Sequence, residues 1–371
     1  MRTVRLRRYA RLATAIAAVT LAATALTACS TSPTSAPATS ALPAPAGSAD
    51  LIAASKQEAG LVIYGNPPTQ LWAPIIKAFN AQYPWIKVTT YDVDDNVVFS
   101  RYQAEYGLHT RTADIVVASA PNLWLNAAKT NMVIDYTPTD VTAHYPAFAK
   151  QFPGVFVLSA DPAIALYNKA LVPTPPDTFA GLVSAVNSGQ YQGKLSTFAV
   201  DNTFGYATVW GLVQQKGWSI VDTLGPQTKP GADGGAILQA VATGGAAFAY
   251  LESGLVRGAL APYSSLVGWE YMKDFTPLIP RAMGITAGAT SPNSAKLFED
   301  FVYSTAGQQA MCTGGFNAYR TDFTPTGCQA TLQEVYKAVG GEQNTYLVPI
   351  NQQISDDQKS FTARWHTAFH N

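Results

Sequence analysis

Three short apolar runs constrain this chain more than any other feature: Leu61-Val62-Ile63-Tyr64, Ile86-Lys87-Val88-Thr89-Thr90-Tyr91 and Ile115-Val116-Val117, each stopped by a polar turn. Between the first two, Leu71, Ile75, Ile76, Phe79 and Tyr83 recur at three- and four-residue spacing up to Pro84, the period of a helix with one buried face. Strand, helix and strand at this pitch are what right-handed βαβ units require, so a parallel sheet covered by helices is expected. Ligands of such sheets sit beyond the carboxyl ends of the strands. The turns there are Gly65-Asn66-Pro67-Pro68, Asp92-Val93-Asp94-Asp95-Asn96 and Ser119-Ala120-Pro121-Asn122. They make Asn66, Thr69, Ser119 and Asn122 candidate ligand contacts, although ordinary surface turns have the same composition. Asp94 and Asp95 have no nearby His or Lys and read as solvated turn residues rather than as an acid/base pair.

The amino terminus carries Arg2, Arg5, Arg7, Arg8 and Arg11, then an apolar stretch from Leu12 to Leu26 that is too short for a membrane span and has the layout of an export signal. Leu26-Thr27-Ala28-Cys29 resembles the lipobox of bacterial lipoproteins, which implies cleavage after residue 28, acylation (palmitate) of Cys29 and attachment to the outer face of the cell membrane. Residues 29–49 contain four prolines (Pro33, Pro37, Pro43, Pro45) and no charge or aromatic ring. Such a segment buries too little apolar area to offset its conformational entropy, so it reads as an extended tether. Its Ser/Thr content is also compatible with glycosylation.

Removing five arginines from 24 basic residues leaves 19 against 24 acidic ones, a mature charge near −5. A mildly acidic chain without a basic run argues against nucleic acid as a partner, and leaves the lipid as the evident membrane anchor. Two cysteines remain, Cys312 and Cys328. In an exported protein an isolated pair favours a disulfide, worth about 3 kcal/mol for a loop of this size in the chain-entropy model. Three cysteines and four histidines, none in ligand spacing, do not make a zinc site. No cofactor or metal is expected.

Further along, Tyr167-Asn168-Lys169-Ala170-Leu171-Val172 is followed by Pro175-Pro176-Asp177-Thr178-Phe179-Ala180-Gly181-Leu182, then by Tyr191-Gln192-Gly193-Lys194-Leu195. Ser291-Pro292-Asn293-Ser294-Ala295-Lys296-Leu297-Phe298 leads to Ser304-Thr305-Ala306-Gly307-Gln308-Gln309. In this order the segments resemble the extracellular solute-binding proteins of ABC importers, in the branch that takes ferric ion, thiamine or phosphonates. The resemblance implies the α/β, two-lobe periplasmic-binding-protein-like fold, each lobe a mixed, mainly parallel sheet flanked by helices, with the ligand cleft between lobes. It places residues 50–169 and 276–371 in the first lobe and 170–275 in the second.

This chain departs from the ferric members of that branch. Glu252 and Ser253 stand where they have paired tyrosines, Ser119 where they have glutamate, and Pro68 where they have histidine. A hard cation needs several anionic oxygens, so ferric ion is disfavoured as the solute. The groups left at these positions and at neighbouring strand ends are Asp201, Asn202, Thr203, Tyr206, Tyr250, Glu252 and Ser253, a set suited to a small polar solute. Asn202 or Thr203 should cap a helix whose free N–H groups favour an anionic ligand group, unless capping is their whole role. Glu252 points instead to an ammonium or hydroxyl, so the set fits an anionic or zwitterionic solute, or a polyol. Arg281 could clamp a carboxylate or form a salt bridge between lobes.

The expected function is a monomeric, lipid-anchored receptor that delivers this solute to an ABC importer permease. The alternative is an exported enzyme or envelope scaffold on the same fold. No Gly-x-Ser-x-Gly elbow, Ser-x-x-Lys element or metal-spaced histidine set speaks for catalysis.

Overall fold

The computed structural model describes residues 48–369 apart from Gln329. The export signal, Cys29 and all but the last two residues of the tether lie outside the described residues, and Ser48–Ser55 is already a helix. The sheet runs β2-β1-β3-β10-β5-β8-β6-β7. These strands are β1 (Leu61–Gly65), β2 (Val88–Asp92), β3 (Ile115–Ala118), β5 (Val155–Asn168), β6 (Leu195–Phe198), β7 (Thr228–Gly231), β8 (Phe248–Ser253) and β10 (Thr276–Ile285). Three short strands lie off this path: β4 (Lys150–Phe152) and β9 (Val267–Glu270) pair with β5, and β11 (Thr345–Leu347) pairs with β10.

The three apolar runs read from the sequence are β1, β2 and β3, and β1 pairs parallel with both of the others. Thr69–Gln82 is the intervening helix; it stops at Tyr83, just ahead of Pro84, and buries Trp72, Ile75 and Phe79. On the far side, β6 pairs parallel with β7 and with β8.

Two long antiparallel strands join these halves. The first part of β5 pairs with β10, up to Pro162 opposite Leu278, and from Ala163 onward it pairs with β8. All ten residues of β10 and nearly all of β5 are buried. Strands covered on both faces read as continuous apolar runs, and against that background Ser159, Asp161 and Arg281 stand out as fully buried polar groups.

The helix pair Pro292–Tyr303 and Thr305–Thr313 follows β10. Its tight corner explains one glycine of the quoted motif: a Cβ on Gly307 would lie 1.8 Å from the Phe301 carbonyl oxygen. Cys312 and Cys328 are joined as a disulfide with Cα atoms 4.9 Å apart. The last helix, Gln352–Phe369, packs against both Pro121–Lys129 and Thr203–Lys216, helices that belong to opposite sides of β5. Among the described residues no helix is long and apolar enough to cross a membrane.

Candidate functional site

Because β1, β2 and β3 are parallel, as are β6, β7 and β8, the carboxyl ends of each set open on one side. A cleft of about 610 Å³ lies there, lined by residues that follow β1 and β2, by residues that follow β6 and β7, by the end of β8, and by Arg281 of β10. That volume is in the range of small-molecule sites.

The floor of the cleft is a continuous polar chain. Ser159 Oγ donates to Asp161 Oδ1 at 2.6 Å, and Arg281 Nε donates to Asp161 Oδ2 at 2.8 Å. Arg281 Nη1 donates in turn to Asn66 Oδ1. Asn66 Nδ2 donates to Asp95 Oδ2 at 2.6 Å, and the Ser119 N–H donates to Asp95 Oδ1 at 3.0 Å. Asp161 and Arg281 face each other because Arg281 is registered against Ser159 on β5, and Asp161 is the next residue on the same face. Burial pushes the Asp95 carboxyl up to about 7; the Arg281 guanidinium and the Ser119 N–H oppose that rise, while Asp94 and Asp161 add to it.

Glu252, at the end of β8, forms part of the opposite wall and has no exposed surface. Its Oε1 accepts the Ser253 N–H at 2.8 Å, and its Oε2 has no hydrogen-bond partner. Burial pushes this carboxyl up to about 8, opposed by the Ser253 N–H and reinforced by Asp233. A Cβ on Gly234 would sit 2.7 Å from Glu252 Oε1, so a larger residue after Asp233 would have to push the carboxylate aside. Phe198 and Phe204, with ring centroids 5.2 Å apart, add an aromatic wall.

Solved structures share this architecture. The substrate binding protein of an ABC transporter from Agrobacterium tumefaciens superposes with a TM-score of 0.75 at 22% identity, over 86% of this chain and 96% of that one. The chain has the periplasmic binding protein fold. Other binding proteins of this fold are iron-bound HitA from Pseudomonas aeruginosa and AfuA from Actinobacillus pleuropneumoniae with fructose-6-phosphate bound. HitA gives a TM-score of 0.67 at 14% identity over 82% and 99% of the two chains. AfuA gives 0.66 at 16% identity over 84% and 98%. No protein-family model matches the sequence, and no curated protein matches it.

Within the binding-protein fold, the residues singled out from the sequence fall into two groups. Asn66, Asn202, Glu252, Ser253 and Arg281 line the cleft, and Ser119 reaches it through the Asp95 carboxylate. The rest face elsewhere. Thr69 and Asp201 are exposed, Asp201 lying 3.6 Å from His366 Nε2. Asn122 Nδ2 donates to Gln358 Oε1 and the Tyr206 hydroxyl donates to the Ile354 carbonyl, both on the last helix. Thr203 is buried with its hydroxyl unpaired. Tyr250 meets Thr228 Oγ1 at 3.0 Å inside the core, so it supplies no phenolate to the cleft. Among the described residues no three His, Cys, Asp or Glu side chains converge as a metal site.

Asn202 is the helix cap, its Oδ1 accepting the N–H groups of Phe204 and Gly205. The helix terminus anticipated as an anion site therefore spends those two donors on its own cap. Two buried acids of the cleft floor escaped the sequence reading. Asp95 reads as a solvated turn residue but is buried, because it opens the helix Asp95–Gly107 and points under Asn66. Asp161 carried a usable signal: an acid inside an apolar strand must find a partner.

Proposed function

We propose that this chain is a lipid-anchored receptor that captures a small polar solute in the cleft and hands it to the permease of an ABC importer. The observation that carries this reading is the polar chain Asp161–Arg281–Asn66–Asp95, which presents satisfied, preorganised groups at the floor of a cleft of ligand size. Such a floor fixes ligand orientation with little further ordering cost. The Agrobacterium, HitA and AfuA likenesses support transport rather than catalysis, and the chain acts without turning its solute over.

The lobes are residues 50–169 with 276–371, and residues 170–275. They close by hinge motion about β5 and β10, and β5 already exchanges β10 for β8 near Pro162, ahead of the 169/170 boundary. Asn66, Asn202, Glu252 and Ser253 contact the solute directly, Arg281, paired with Asp161, holds Asn66 at the cleft floor, and Ser119 acts through Asp95. Acylated Cys29 holds the monomeric receptor at the outer face of the membrane, with the segment from Cys29 to the helix that starts at Ser48 as the tether.

Fluorophores attached at the exposed positions Thr69 and Asp201 test closure. A binding solute from a panel of phosphonates, amino acids, polyamines, thiamine, sugars and ferric citrate brings the two dyes together and raises energy transfer saturably. Unchanged transfer with a solute shown to bind would remove the hinge from the account. Replacing Cys29 by alanine releases the protein from the membrane fraction; retention would remove the lipid anchor.

A further inference from the structure

We propose that the solute is an organic dication: two ammonium groups on a short apolar spacer, one lodged at Glu252 and Asp233 and the other at Asp92 and Asp94. This rests on the receptor reading and names its substrate class.

The charge balance of the cleft points first. Asp92, Asp94, Asp95, Asp233 and Glu252 contribute five carboxyl groups to its lining, against the single guanidinium of Arg281. That guanidinium is already held by Asp161 at 2.8 Å, with both side chains 1% exposed.

Most donors that would attract an anion are engaged as well. Asn202 caps Thr203–Lys216, Asp94 accepts the Asn96 N–H, and Asp233 accepts the Ala236 N–H, so three helices that open at the cleft carry their own acceptor, whereas Thr69–Gln82, which starts after Pro68, has no side-chain cap. The Ser119 and Ser253 N–H groups donate to Asp95 and Glu252. An anionic group reaching those three helices would have to displace these bonds, and anywhere in the cleft it would meet a lining with five carboxyl groups and one guanidinium.

One group lacks a hydrogen-bond donor. Glu252 lines the cleft without exposed surface, and its Oε2 meets no donor. A buried polar atom without a partner costs free energy that an incoming N–H would recover. Burial keeps the Glu252 carboxyl protonated near neutral pH, and an ammonium lodged against it would favour release of that proton. The charged group next to it is Asp233, and across the cleft Asp92 and Asp94, with Asp95 in part, outnumber Arg281, so the net local field also favours an ammonium.

The placement of the acids sets the spacing. Asp92 and Asp94 follow β2, whereas Asp233 and Glu252 belong to β7 and β8 on the other side of β5. They do not converge on one point, which disfavours a bare metal ion. Leu71, Phe198, Phe204 and Leu238 supply the apolar lining that suits a methylene spacer.

Calorimetric titration of the full-length protein near neutral pH tests this, using 1,4-diaminobutane and its three- to six-carbon homologues. The neutral 1,4-butanediol and the dianion succinate serve as isosteric controls. A diamine should bind saturably, and the diol and dianion at least about tenfold more weakly or not at all. Glu252→Gln should lower diamine affinity at least about tenfold. Asp233→Asn, at an exposed position, should lower it in the same direction, which guards against a folding defect at Glu252. Diamine binding that neither variant changes would overturn the assignment of the two acids. Binding of the diol, succinate or another class from the panel in place of every diamine would overturn the dication while the receptor stands. Failure of every class would overturn both.

Discussion

Arg281 Nε and Asp161 Oδ2 lie 2.8 Å apart, each side chain 1% exposed, on the two long strands that join the halves of the sheet. The pair neutralises the one guanidinium of the cleft floor and holds it in place for Asn66. Breaking such a pair strands a buried charge. Asp161→Asn and Arg281→Met should each lower unfolding free energy by about 3–5 kcal/mol. The double substitution should cost less than the sum of the two, because no charge is then left unpaired. Urea denaturation of the four proteins measures both; additive losses would mean that the two side chains do not act as a pair.

Stability should fall from mildly acidic to mildly alkaline pH. Burial raises the Glu252 carboxyl to about 8, whereas the same group titrates near 4.5 without that environment. Between those values the native protein retains a proton that the unfolded chain has lost. Its contribution is present in full below 4.5 and disappears as pH rises through 8, at up to about 1.4 kcal/mol per pH unit. Asp95, raised to about 7, acts in the same direction. Glu252→Gln should flatten the decline between pH 5 and 8 in urea midpoints. A wild-type protein whose stability rises over that interval would contradict the buried, protonated carboxyl.

Gly307→Ala should destabilise by about 1–3 kcal/mol, the usual cost of forcing atoms into a packed site. The added methyl would fall 1.8 Å from the Phe301 carbonyl oxygen and within 2.7 Å of that of Val302, both backbone atoms. A melting temperature equal to wild type would show that the corner between the two helices relaxes freely.

The Cys312–Cys328 bridge closes a loop with a sequence separation of 16. Replacing both cysteines by serine should cost about 3 kcal/mol if loop entropy dominates. Reduction of the wild type should lower its melting temperature by the same amount as the double variant, with no change in solute affinity. Loss of affinity on reduction would place this loop in the binding site.

Much of the first sheet was legible because β1, β2 and β3 obey simple rules: apolar runs of strand length, a helix-period stretch between them, and proline at its end. The Asn202 cap was legible for the same local reason. What lay beyond the sequence depended on distant partners. Asp161 and Pro162 resemble strand breakers, yet they sit inside the fourteen-residue β5, because Arg281 neutralises the acid and the strand changes partner at the proline. Asn122 and Tyr206 sit near strand ends that carry other site residues, but turn to a helix that arrives 236 and 148 residues later. No local pattern encodes that rotation. Asp95 reads as solvated because a helix's first turn usually is, and the partners that meet its buried carboxylate, Asn66 and the Ser119 N–H, lie 29 and 24 residues away.

The most direct test of the central claim is a thermal-shift titration of the purified protein, freed of bound solute, against phosphonates, amino acids, polyamines, thiamine, sugars and ferric citrate. A solute that binds only the folded state must raise the melting temperature, by an increment that grows with the logarithm of its concentration. The account predicts such a rise with one chemical class, abolished or reduced by substitution at Glu252 or Asn66. A folded protein whose melting temperature no class moves would contradict a solute receptor.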